Sequence, residues 1–295
     1  MEMGEELKKR TIEVDQIIEK FLPEEEGHQK IIFEAMNYSV RAGGKRLRPM
    51  LMEETYRLFG GQGKEIEPFM AAIEMIHTSS LIHDDLPCMD NDELRRGLPT
   101  VWVKFGYDMA VLAGDALLIY AIETAAKAFA ITDHAERVGR AIGILAAKTG
   151  IYGMIGGQVV DVGLTNQPIP EDKLDFIYRL KTGALLEASM MIGAVLAGAD
   201  EDSLKKTEEI ASAIGLAFQI QDDILDVTST AQKLGKPVLS DEKNHKTTYV
   251  TLKGLEQARQ DVADISEKAV SLLHQIPGKN PFLEKLIYML VNREN

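Results

Sequence analysis

Residues 214–226 read Ile-Gly-Leu-Ala-Phe-Gln-Ile-Gln-Asp-Asp-Ile-Leu-Asp. On a helix that turns about 100° per residue, Gln219, Asp222 and Asp226 share one face, at offsets of three and four. The rest of the stretch is apolar, so it reads as a core helix that carries three acids inward. Acids in such a setting are costly unless paired or liganded. The segment is therefore either a cation site or a capping and ion-pair device.

A second stretch echoes the first in the other half of the chain. An apolar helix ends in His83-Asp84-Asp85, as another ends in Gln221-Asp222-Asp223. Two such helix ends can face each other across one bundle cavity, which is how bundles build metal sites. Apolar residues recur at helical spacing over 7–21, 31–41, 67–83, 108–129, 135–150, 174–196, 204–225 and 248–275. Sustained period-two alternation and an Asn-Gly hairpin signal are both missing. Breakers separate the segments: Pro23, Gly43-Gly44, Gly60-Gly61, Pro87, Gly97, Gly106, Pro168–Pro170, Gly235–Pro237 and Pro277–Pro281. The expected product is a single all-α domain over residues 1–295, of roughly ten or more helices.

Bulk properties narrow the function. The chain has 295 residues, 45% hydrophobic and 27% charged, with a net charge of −13. That composition is globular, and the acidity argues against a nucleic-acid partner, which would want a basic face. One cysteine, Cys88, excludes an intramolecular disulfide and fits a reducing compartment. The N-terminus has no apolar signal-peptide core. The most apolar stretches are 109–131, interrupted by Asp115, Glu123 and Lys127, and 185–199, which carries Glu187 and is short for a bilayer span. The expectation is a cytoplasmic protein without a transmembrane segment.

The first acidic cluster runs Asp84, Asp85, then Leu-Pro-Cys-Met, then Asp90, Asn91, Asp92 and Glu93. Pro87 should end the preceding helix near Asp85. Carboxylates at a helix C-terminus oppose both the dipole and one another, so the arrangement calls for a cation. Oxygen ligands of this kind suit magnesium, which recruits phosphates and water. Taken alone, the run reads first as a solvated acidic loop, since acids are common in loops.

Basic groups surround these acids. Lys45 and Arg48 follow Gly43-Gly44, where a backbone free of side chains can approach an anion. Arg95-Arg96 follows the first cluster, either as an ion-pair network or as diphosphate ligands. His77 lies two helical turns before Asp84, on the same face, where a core histidine is the blander account. Lys181-Thr182-Gly183 interrupts an apolar helix and reads either as a phosphate contact or as a kink with a snorkelling lysine. Gln158 and Asp161 could orient a metal ligand or cap a helix, and Lys236 and Lys246 flank a polar loop. One substrate explains the whole set: a diphosphate that is held by metal and cations and ionised in a helical cavity.

At these residues the sequence resembles the trans-isoprenyl diphosphate synthase family, in its short-chain branch. The matching elements are Gly43-Gly44-Lys45-Arg46-Leu47-Arg48-Pro49, Asp84-Asp85-Leu-Pro-Cys-Met-Asp90, Arg95-Arg96-Gly97, Gly157-Gln158-Val-Val-Asp161, Lys181-Thr182-Gly183 and Gln221-Asp222-Asp223-Ile-Leu-Asp226, in the family's order. The resemblance implies an isoprenoid synthase-type helical bundle around a deep central cavity, usually a homodimer. It implies that Asp84 and Asp90 hold two magnesium ions with Asp85 in support. It implies that Asp222 holds a third, with Asp223 and Asp226 acting through waters; Mn2+ is a substitute. Arg95, Lys181, Thr182, Gln219, Lys236 and Lys246 would hold the allylic diphosphate. Lys45, Arg48, His77 and Arg96 would hold isopentenyl diphosphate.

The implied reaction joins isopentenyl diphosphate to dimethylallyl or geranyl diphosphate through a carbocation. Farnesyl diphosphate is the expected product, with geranylgeranyl diphosphate the alternative. Ser79 and Ser80, five and four residues before Asp84, stand at the floor of the growing chain's pocket. Bacterial farnesyl synthases usually place an aromatic where Ser79 stands. A terpene cyclase or a non-catalytic synthase subunit would not need both aspartate motifs together with the basic set.

Overall fold

The computed structural model describes residues 3–165, 167–228 and 247–291. Among them, helices account for nearly all the ordered elements. In chain order they are α1 (Met3–Glu19), α2 (Lys30–Arg41), α3 (Leu47–Leu58), α4 (Ile66–Asp84), α5 (Val101–Phe105), α6 (Tyr107–Ala126), α7 (Ala135–Thr149), α8 (Met154–Gly163), α9 (Glu171–Ile177), α10 (Ala184–Ala197), α11 (Glu201–Thr228), α12 (Tyr249–Lys253), α13 (Leu255–Leu273) and α14 (Pro281–Val291). A 3-10 turn, Lys127–Ala130, extends α6, and a π-helical turn, Tyr178–Gly183, joins α9 to α10.

Two helices are apolar on every side and form the centre. In α4 the run from Pro68 to Ile76 is buried throughout, and in α10 every residue from Ala184 to Leu196 is buried. A helix without a polar face must be covered all round. The chain complies: α4 packs on α6, α3 and α1, and α10 on α3, α7 and α11. The outer helices α2, α7 and α13 bury one stripe each, as their amphipathic sequences require. Glu187, the acid within α10, is satisfied there by Lys148 of α7.

Several elements depart from the periodicity reading, each for a physical reason. Helix α3 begins at Leu47 and absorbs Pro49, because proline is tolerated in a helix's first turn, where its missing N–H has no partner to lose. Pro281 likewise opens α14 after Asn280, whose Oδ1 accepts from the amides of Phe282 and Leu283 at 3.1 and 3.0 Å. The segment 248–275 is two helices, broken at Gly254 with φ 83°. A two-residue hairpin, β1 (Leu94–Arg95) against β2 (Leu98–Pro99), turns through Arg96 and Gly97, both at positive φ. That turn normally advertises itself as Asn-Gly; here an arginine holds the first position.

The helical runs Tyr107–Ala130 and Glu171–Ala197 have the length and composition of a membrane span. Of the second run's apolar window, 78% is buried inside the protein, the mark of a core helix; of the first's, 39% is.

Candidate active site

The first aspartate motif begins where α4 stops. The loop folds back on the helix end: the Asp90 amide donates to the Asp84 carbonyl at 2.8 Å, and the Asn91 amide to Leu86 at 3.1 Å. This brings Asp90 beside Asp84. Burial raises the Asp84 carboxyl to about 6; Asp90 adds to the rise, while Lys181 opposes it. The adjacent Asp85 is differently placed. Its buried carboxylate is gripped by Arg95, whose Nε donates to both oxygens at 2.7 and 2.9 Å and whose Nη2 donates at 2.5 Å. Arg95 also approaches Asp92 at 3.6 Å. The hairpin is thereby pinned to the end of α4.

Helix α8 and the π turn supply the opposite wall. Gly157 lets the two backbones meet, since a Cβ there would lie 2.3 Å from the Lys181 nitrogen. The close approach places Gln158 Nε2 2.6 Å from Asp84 Oδ1, as donor, and Lys181 Nζ 2.5 Å from Asp161 Oδ2. Lys181 also faces Asp84 and Asp90, and these acids together outweigh its burial and raise its pKa. π turns inside α-helices frequently sit at functional sites. Here the turn carries the lysine, and the next residue, Thr182, donates to Gln219 Oε1 of α11 at 3.0 Å.

Through Lys181 and Thr182 the two motifs meet. A cavity of about 200 Å³ is lined by Asp161, Lys181, Thr182, Gln219, Asp222 and Asp223, among others. Helix α11 runs unbroken through the second motif, so Gln219, Asp222 and Asp226 do share a helical face. Asp223 is buried; its Oδ2 accepts from the Tyr178 hydroxyl at 2.5 Å and the Tyr249 amide at 2.8 Å. It thus ties α11 to the π turn and to the start of α12, which Thr248 caps.

A second cavity, of about 450 Å³, lies against α4, at Glu74 and His77. Lys45, Arg48, His77 and Arg96 line it. Burial, then the neighbouring arginines, pushes the His77 imidazole well below its usual range, so it faces the cavity neutral. Arg48 Nε is buried without a hydrogen-bond partner, and a buried unspent donor of this kind points to an absent anion. Gly44 is favoured here by its backbone, at φ 149°, and a Cβ there would also push against the Arg96 guanidinium, 2.8 Å from Nη2.

The carboxylates of Asp84 and Asp90 offer oxygen ligands, and a half-buried carboxylate held above its ordinary pKa beside a second acid is a site that gains from a divalent cation. The residues therefore fit magnesium. Among the described residues no three acids or histidines converge closely enough to enclose an ion unaided. Diphosphate oxygens and water would complete such a shell, as magnesium prefers. Lys236 and Lys246 lie outside the described residues. Sequence reasoning passed over Tyr178, Arg46 and Glu74. Glu74 did leave a signal, an acid inside an otherwise apolar helix; the other two left none that distinguishes them from ordinary neighbours.

The polyprenyl synthetase family model matches residues 29–276. The chain is 45% identical over 268 residues to a chloroplastic geranylgeranyl pyrophosphate synthase of Catharanthus roseus, covering 90% of this chain and 74% of that protein. It is 42% identical over 279 residues to farnesyl diphosphate synthase of Escherichia coli K12, covering 94% of this chain and 93% of that one. Among solved structures, a geranyltransferase of Helicobacter pylori complexed with magnesium and isoprenyl diphosphate matches with a TM-score of 0.83, at 32% identity over 99% of this chain and 97% of that one. A family model matched over residues 29–276, with a relative 42% identical over nearly its whole length, places this largely helical protein in the polyprenyl synthetase family, whose enzymes are prenyltransferases.

Proposed function

We propose that the chain condenses isopentenyl diphosphate with dimethylallyl or geranyl diphosphate to give farnesyl diphosphate. One observation carries this reading: two separate cavities are of opposite design, one lined by Asp161, Asp222 and Asp223 with Lys181, the other by Lys45, Arg48, His77 and Arg96. A site for one diphosphate needs only the first; a condensing enzyme needs both. In this reading Asp84, Asp90 and Asp222 hold three magnesium ions, with Asp85, Asp223 and Asp226 in support. When bound, magnesium supplies positive charge that the departing diphosphate shares. Lys181, Thr182, Gln219 and Arg95 orient the allylic diphosphate, and Lys45, Arg48, His77 and Arg96 orient isopentenyl diphosphate. The allylic carbon–oxygen bond breaks, the double bond of isopentenyl diphosphate attacks the carbocation, and a proton leaves to the released diphosphate. The helical walls keep water from the cation.

Diphosphate release from isopentenyl and geranyl diphosphates, with and without magnesium, tests the reaction. Release that needs both substrates and magnesium supports it; release from geranyl diphosphate alone would indicate a cyclase.

A geranylgeranyl product is the second reading, and Ser79 favours it. Ser79 is buried, and its hydroxyl donates to the Ile76 carbonyl at 2.7 Å. Ser80 does the same to His77 at 2.8 Å. Both hydroxyls are spent inside the helix, so the two positions offer small volume and no bulky stop. Ser79→Tyr should shorten the product, read by chromatography of dephosphorylated prenols; an unchanged distribution would place the floor elsewhere.

The protein is further proposed to act as a homodimer. Helix α6 leaves Leu112 and Ile119, one heptad apart, about half and two-thirds exposed (49% and 68%), an unpartnered apolar stripe that a second copy would cover. Sedimentation of the purified chain at twice its 32.7 kDa would support this.

A further inference from the structure

Arg46 stands among the basic residues of the second cavity but is built unlike them. Its backbone is left-handed, with φ 49°, a conformation that costs a non-glycine residue about 1 kcal/mol or more. Its side chain is 2% exposed, and every nitrogen is engaged. Nε donates to Asp15 of α1 at 2.7 Å, Nη1 to Glu74 of α4 at 2.7 Å, and Nη2 to the Val40 carbonyl of α2 at 2.7 Å. Arg48, two residues on, has a buried Nε with no such partner. One arginine is spent on the protein, and the other keeps a donor for a ligand.

Glu74 explains the difference. It is buried, one helical turn before His77, and it is the only acid among the described residues lining this cavity. It faces Arg48 and Arg96 electrostatically, as well as Arg46. Left without a dedicated partner, a buried carboxylate there would draw those guanidiniums toward itself and repel an incoming diphosphate. Arg46 satisfies it and at the same time fastens the 43–46 turn to three helices, so Lys45 and Arg48 leave that turn in set directions.

We propose that Arg46 and Glu74 form a buried pair that positions Lys45 and Arg48 and keeps Arg48 and Arg96 available for isopentenyl diphosphate without touching it. This rests on the reading that the basic cavity takes that substrate. Arg46 is then a positioning residue, acting on one substrate and not on the other.

The test is steady-state kinetics on the whole purified chain with magnesium, varying each substrate in turn. Arg46→Met should raise KM for isopentenyl diphosphate roughly 10- to 100-fold, the scale of a small misplacement of binding groups. KM for geranyl diphosphate should stay within about twofold, because its site draws on α8, the π turn and α11. Removing both charges, in Arg46→Met/Glu74→Leu, should recover most of the loss, since the uncompensated carboxylate goes with its partner. If Arg46→Met does not fold, Arg46→Lys serves, keeping the charge but losing the fork that reaches three partners; the same selective rise is expected. Arg48→Ala runs in parallel. No rise in that variant would remove the substrate reading itself. A rise with Arg48→Ala but not with the Arg46 variant would overturn the positioning role alone. Equal changes in both KM values, or a double variant worse than the single, would reduce Arg46 to a general structural staple.

Discussion

The two aspartate motifs look alike in sequence and are wired differently. In each, a pair of adjacent acids ends or nears the end of a core helix, and adjacent residues on a helix point about 100° apart. Asp84 and Asp222 are therefore the less buried member of each pair, while Asp85 and Asp223 are buried against the protein. Asp85 is held by a charged group, the Arg95 guanidinium. Asp223 accepts, among its partners, from two neutral donors, the Tyr178 hydroxyl and the Tyr249 amide. The first pairing pins a hairpin that carries Arg95 and Arg96 toward substrate. The second pins the π turn and the start of α12. Two motifs that share an Asp-Asp pair are thus proposed to do the same metal chemistry with their first acids, and they do different scaffolding with their second.

That division can be broken by substitution. The largest losses are expected at the first acids. Asp84→Ala and Asp222→Ala should each lower kcat by roughly 10²- to 10³-fold, the scale of removing one transition-state charge stabiliser, with unchanged far-UV circular dichroism. A near-normal rate in either would remove its metal-ligand role. Asp85→Asn should come next, costing roughly tenfold in kcat/KM for geranyl diphosphate, because the bidentate grip on Arg95 is lost and its guanidinium wanders. Asp223→Asn should cost least, about fivefold, since the amide oxygen still accepts from Tyr249 and only ~1 kcal/mol of charge-assisted bonding goes. An Asp223→Asn loss as large as that of Asp222→Ala would collapse the distinction and make Asp223 a ligand.

A smaller effect sharpens the comparison through pH. Burial holds Asp84 at about 6, above its ordinary carboxylate value. Between the two values the folded chain binds more protons than the unfolded one, so metal-free stability falls as pH rises from about 4 to about 6. Above 6 the buried charge stands uncompensated by protonation, and a divalent cation relieves it. The gain in Tm from magnesium with inorganic diphosphate should therefore be larger at pH 7.5 than at pH 5.5, by roughly a few degrees. Asp84→Asn should flatten that dependence; an unaltered dependence would assign it to another group.

Much of the site was legible because its chemistry is local in sequence. Asp84 to Asp90, Arg95-Arg96 and Lys181-Thr182 announce themselves as charges in or beside apolar runs, where charge is expensive. Arg46 was not legible, since nothing in Lys-Arg-Leu-Arg says which arginine turns inward; the left-handed backbone at residue 46 decides that. Tyr178 was hidden for a related reason. A tyrosine in an amphipathic helix is ordinary until a carboxylate 45 residues away is found under its hydroxyl.

The amino-acid sequence by itself determined the helical class, the two acidic helix ends and the basic set, because periodicity and charge cost are properties of short windows. Tertiary structure alone decided the pairings: Gln158 with Asp84, Lys181 with Asp161, Arg95 with Asp85, Arg46 with Glu74. These bonds join residues 10 to 74 positions apart. They depend on how closely the backbones approach, which Gly157 permits at Lys181 and which no local pattern of residues encodes.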